Sequence, residues 1–148
     1  MGDSKILQVK RLLYDFPNEE VMSIISSTDD IELLYTYLYN YNWDDGFEIP
    51  QMILDNEKCD LSTALLGFYG ADGAAYLQNK LSNENLPKWK VFIEKLYSGI
   101  LNGKYVKGQI AFKVPLSKVQ IFKLRKMLSE DEMVFIEDIV GKDLDINV

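Results

Sequence analysis

YNWDDGFEIP, residues Tyr41 to Pro50, gathers three carboxylates around Trp43 and Phe47. Read as a ligand cluster, it would make the chain a small metalloprotein or an enzyme. Read as a turn, it joins two helices, and residue chemistry favours the turn. Asp hydrogen-bonds nearby backbone N–H groups, and Gly accepts positive φ without a Cβ clash. Pro50 suits the first turn of a following helix over Gln51 to Asp55. Trp43 and Phe47 then bracket the turn and anchor it in a core, which leaves Asp44 and Glu48 as exposed charges. The pair Asp72-Gly73, in GFYGADGAAYL, takes the same structural reading.

On either side of this turn the apolar residues recur at helical spacing. Ile6, Val9, Leu12, Leu13 and Phe16 define a first helix, and Pro17 with Glu19 and Glu20 opens a second whose apolar face is Val21, Ile24 and Ile25. Asp29 and Glu32 have capping-box spacing ahead of a helix from Ile31 to Tyr41. Asp60 to Thr63 caps a helix running to Tyr69, Ala74 to Leu81 reads as another, and Pro87 starts one that reaches Leu101. Ser117/Gln120 and Ser129/Glu132 fit the capping-box pattern, predicting helices over 118–128 and 130–139, with Met133 to Ile139 a competing strand. Residues 104–114, with Gly108 among them, suggest a small β excursion or short hairpin. The fold class expected is mainly α, a single domain over 1–148 built as an irregular helical bundle or short α-solenoid-like array.

Composition narrows the function. The 148 residues are 47% hydrophobic and contain no histidine and one cysteine, Cys59. That excludes an internal disulfide, histidine-based catalysis and the common histidine metal sites. Cys59 reads as an inert thiol, with Asp60 beside it and no base to activate it. As an EF-hand loop the opening stretch fails: with Gly46 at the sixth position, Tyr41, Trp43 and Met52 fall on ligand positions. No phosphate-loop pattern is present. Neither a signal-peptide core nor a membrane-length apolar run is seen, which predicts a soluble, cytoplasmic protein with no membrane partner. No cofactor, metal or catalytic residue is expected.

Charge is distributed in blocks. Residues 1–85 hold 15 acids against 5 bases, 86–126 hold 10 bases against Glu94 alone, and 127–148 hold 7 acids against Lys142. The net charge of −7 argues against nucleic acid as a general partner. Either the blocks neutralise one another by packing together, or an acidic face draws a basic partner. In the helix before the turn, Leu34, Tyr37, Leu38 and Tyr41 form the inward stripe. Tyr35 and Tyr39 are then expected near its edge, beside Asp29, Asp30 and Glu32, where tyrosine and carboxylates would suit a basic protein.

Asn42-Trp43-Asp44-Asp45-Gly46-Phe47, Cys59-Asp60-Leu61-Ser62-Thr63-Ala64-Leu65 and Ala71-Asp72-Gly73 together resemble the signature of an uncharacterised bacterial domain family, over about Leu33 to Leu81. Gly67 and Gly70 depart from that pattern, where larger residues are expected. Some members of the family resemble immunity proteins of polymorphic or contact-dependent inhibition toxins. The resemblance implies a stand-alone, non-enzymatic protein. Its partner would be a bacterial toxin domain, a basic nuclease, neutralised by stoichiometric binding through an acidic face. The expected contacts are Asp29, Asp30, Glu32, Tyr35, Tyr39, Asp44, Asp45 and Glu48, with the acidic segment Glu130 to Asp145 as the rival surface. The alternatives are a scaffold or self-associating module, homo-oligomeric and without activity, and a small carboxylate-dependent enzyme.

Overall fold

The computed structural model describes residues 1–148. Eight α-helices carry the fold: α1 (Asp3–Tyr14), α2 (Asn18–Ser27), α3 (Ile31–Tyr39), α4 (Glu48–Asp55), α5 (Leu61–Gly70), α6 (Gly73–Gln78), α7 (Pro87–Leu101) and α8 (Lys118–Met127). Two 3-10 segments, Trp43–Asp45 and Glu130–Ile136, complete the regular structure. The mainly α bundle expected from the periodicity is what forms. α1 packs on α3, α3 on α5 and α5 on α7, while α2 packs on α4. Alternate helices therefore lie side by side in two layers.

Each start follows from local chemistry. Asp30 caps α3, its carboxylate accepting from Leu33 N–H at 3.2 Å. The cap is thus Asp30 rather than the expected Asp29/Glu32 pair, because Thr28 Oγ1 holds the Asp30 N–H and fixes the entry. Asp60 caps α5 through Thr63 N–H at 2.9 Å, and Ser117 with Gln120 forms the capping box of α8. α3 stops at Tyr39 and α6 at Gln78, each earlier than the periodicity suggests.

The core divides around α3, α4 and α5. Val9, Leu12, Val21, Ile25, Leu33, Leu34, Leu38 and Ile53 fill the side toward α1 and α2. Leu65, Phe68, Phe92, Ile93, Leu96 and Phe135 fill the side toward α7 and the C-terminal third. Gly67 lies at the α3–α5 contact, 3.4 Å from Leu38 to where a Cβ would stand, and Gly70 lies under the Trp43 indole.

The C-terminal third departs most from expectation. Residues 104–114 form no hairpin; Ile110 bridges Lys142 in parallel and Phe112 bridges Ile139 antiparallel. The helix expected at 130–139 is the 3-10 run Glu130–Ile136, and of the competing strand only Ile139 pairs. Burial of Phe135 and Ile136 against α5 and α7 sets that geometry. Leu144 then packs with Tyr35 and Ile110. Asn40 side-chain N–H donates to Ile146 C=O at 2.8 Å, fastening the tail across α3. No helix is long and apolar enough to cross a membrane.

Candidate functional site: an acidic ridge between two clefts

The turn quoted at the outset is pinned from both sides. Tyr41 O–H donates to Gly46 C=O at 2.7 Å, and Asn42 Oδ1 accepts from Asp44 N–H at 3.1 Å. Gly46 takes φ 96°, the conformation that needs a glycine. Tyr41 meets Trp43 edge-on at 5.4 Å between ring centres, Trp43 meets Phe92 at 6.0 Å, and Phe47 stacks on Phe92 at 4.9 Å. This aromatic relay ties the turn to α3 and α7, so its side chains are held on a rigid base.

Asp44, Asp45 and Glu48 project from that base, all exposed, and none has an ion-pair partner. Asp45 and Glu48 line two clefts at once. One, of about 710 Å³, runs between the turn and α7, with Phe47, Pro87, Val91 and Phe92 supplying apolar surface. The other, of about 460 Å³, lies toward α1 and α2 and is lined by Leu13, Phe16, Tyr37 and Tyr41. The two carboxylates thus form a ridge between clefts. Their field reaches inward as well: burial, then Asp45 and Glu48, push the Tyr41 hydroxyl up to about 12. The carboxylates do not converge as a metal-binding group.

The remaining expected contacts separate from this ridge. Asp29, Asp30 and Glu32 lie at the start of α3, the opposite end from the turn. Asp30 pairs with Lys5 at 3.0 Å, and Glu32 with Lys5 at 3.5 Å and Lys142 at 3.1 Å. Asp29 is exposed in a polar hollow beside Asn56 and Glu57. Tyr35 corrects the expectation: it is 1% exposed, and its O–H donates to Asp145 at 2.6 Å. Residues 110 and 144 cover that edge of α3, a long-range packing that helical spacing does not reveal. Tyr39 is half-buried, stacked on Tyr35 at 6.4 Å, and lines a third cleft on the far side of Trp43.

The rival acidic segment is largely engaged within the molecule. Glu132 accepts from Tyr97 O–H at 2.6 Å and Lys80 at 3.0 Å, Asp138 accepts from Val114 N–H, and Asp143 accepts from Asp145 N–H. Neutralisation between charge blocks is partial: in the basic strip, Lys95 and Lys104 reach Asp55, while Lys88 pairs with no acid. Burial, then Asp60, push the Cys59 thiol up, which keeps it protonated and unreactive.

Sequence reasoning missed the apolar wall of the larger cleft. Its signal was Val91, which lies off the α7 stripe of Trp89, Phe92, Ile93, Leu96 and Ile100 and is 70% exposed. Leu86, 48% exposed, continues the same surface into a shallower hollow with Phe47 and Pro87.

No curated protein and no solved structure matches this chain. Residues 29–101 match the model of a domain of unknown function, DUF4274. The matched stretch begins ahead of α3 and ends with the last residue of α7, so the ridge, the aromatic relay and the larger cleft all lie within it.

Proposed function

We propose that this chain works by binding another protein, as an immunity protein that neutralises a bacterial toxin whose binding surface is basic, such as a nuclease. The observation that carries the reading is the unpaired carboxylate ridge beside an apolar cleft. Charges without internal partners accelerate capture of a basic surface, and a desolvated aromatic pocket slows its release. Asp44, Asp45 and Glu48 are the charged contacts in this reading; Phe47, Val91 and Phe92 receive an apolar anchor. Asp29, Asp30 and Glu32 form a second acidic area at the other end of α3, with Tyr39 between the two. Binding is stoichiometric, with no catalytic step.

The test is affinity capture from the native bacterium under toxin-expressing conditions, with tagged wild type and Asp44→Asn/Asp45→Asn/Glu48→Gln side by side. The expected result is a basic toxin domain held by wild type through a high-salt wash and released from the triple variant. Capture of no toxin by wild type, or equal capture by both proteins, would overturn the reading or its placement respectively.

A further inference from the structure

α8 carries a surface that the proposed neutralising site does not use. Between Glu94 and Glu130 the chain has eight bases and no acid. Lys95 and Lys104 pair with Asp55, but Lys107, Lys113, Lys118, Lys123, Arg125 and Lys126 have no ion-pair partner. Four of those six lie on α8, whose inner side is Ile121, Leu124 and, just past its end, Leu128. Its outer side should therefore be polar throughout. Instead Val119 is 62% exposed, Phe122 59% and Met127 59%. At three- and four-residue spacing Val119, Phe122, Lys123, Lys126 and Met127 share one face. Lys126 Nζ stands 4.3 Å from the Phe122 ring centre, so cation and apolar surface are interleaved on that face.

We infer that the outer face of α8 adsorbs to an anionic lipid surface, lying in the headgroup plane with Val119, Phe122 and Met127 inserted and the lysines on lipid phosphates. Apolar side chains flanked by long cationic stems are what an interfacial helix requires, the stems lying along the apolar surface while their charges reach outward. Protein interfaces also use aromatic residues and methionine, but lysine is depleted there, and it is the lysines interleaved with Phe122 and Met127 that favour a lipid surface. The absence of a membrane-length span, which led to the expectation of no membrane partner, does not bear on a helix that lies on the surface. Glu130 and Asp131 follow α8 directly and oppose adsorption; the attraction comes from exposed lysines, whose charges salt screens, so binding is salt-dependent.

The experiment is co-sedimentation of the full chain with vesicles of phosphatidylcholine alone or mixed with phosphatidylglycerol, at low and high salt. Wild type is expected on the anionic vesicles at low salt only. Lys123→Gln/Lys126→Gln should lower the partition coefficient roughly 25-fold, about fivefold for each charge removed. Phe122→Gln should weaken binding at unchanged charge. All three positions are exposed, and thermal melts would verify that the variants fold. Failure of wild type to bind anionic vesicles overturns the inference. So does binding that neither variant reduces. If the α8 variants instead abolish binding to poly-glutamate, or abolish a concentration-dependent rise in mass in the absence of lipid, the face serves an acidic protein or a second copy.

Discussion

At Asp72 and Gly73 the expected roles are exchanged. The Asp-Gly pair suggests a glycine with positive φ, yet Asp72 adopts φ 62° and Gly73 does not. Gly73 is required for another reason: a Cβ there would fall 2.3 Å from the Phe68 ring and 2.5 Å from the Phe68 carbonyl oxygen. Backbone cannot yield as a flexible side chain can. Gly73→Ala should therefore destabilise the protein by about 1–3 kcal/mol through overpacking. Asp72→Gly, which relieves the left-handed strain, should stay within about 1 kcal/mol of wild type. Chemical denaturation of the two variants checks the order, and a larger loss for Asp72→Gly would contradict this account. A dipeptide shows that a tight turn is needed, but not which residue bends and which is crowded. The same limit applies to Tyr35, whose position on α3 was legible while the chain that covers it was not.

Among the elements, those closed by local signals were the legible ones. α5 shows why: Asp60 supplies the cap, Leu61, Leu65 and Phe68 supply the buried face, and both signals lie within ten residues. Asp60→Ala should lower stability by about 1 kcal/mol through the lost cap bond, with Asp60→Asn recovering most of it. Urea unfolding midpoints would show the difference, and equal midpoints for the two variants would remove the cap from the explanation. The segment after Leu101 lacks such closure. Ile110, Phe112 and Ile139 find partners about 30 residues away in sequence through two isolated bridges, so local spacing carries little of their conformation. α8 has a readable capping box, but its exposed apolar residues blur the inward stripe. The larger cleft was hidden for a related reason, since it forms only where the turn at 43–48 meets α7.

At the scale of the whole molecule, Glu132 joins three separate parts of the chain. It accepts from Tyr97 on α7, from Lys80 after α6 and from Ser129 N–H at the start of its own 3-10 run. Burial pushes its carboxyl up, but these hydrogen bonds prevail and hold it at about 2, against an ordinary value of 4.5. A depressed folded-state value stabilises the protein above the unfolded value, and that stability is lost as pH falls through the folded one. The contribution should therefore be complete above about pH 4.5 and disappear toward pH 2, amounting to roughly 1–2 kcal/mol after allowance for solvent screening. Thermal melts of wild type and Glu132→Gln across that window should converge as the pH drops; a constant gap would exclude the linkage. The aromatic relay has a further consequence, this one optical. The chain has two tryptophans: Trp89 is 7% exposed and donates to Ala71 C=O, whereas half-buried Trp43 stands in the relay beneath the ridge. Trp89 also lines the hollow beside Leu86 and Trp43 the cleft beside Tyr39, so each indole reports on a different margin of the proposed docking surface without any added label.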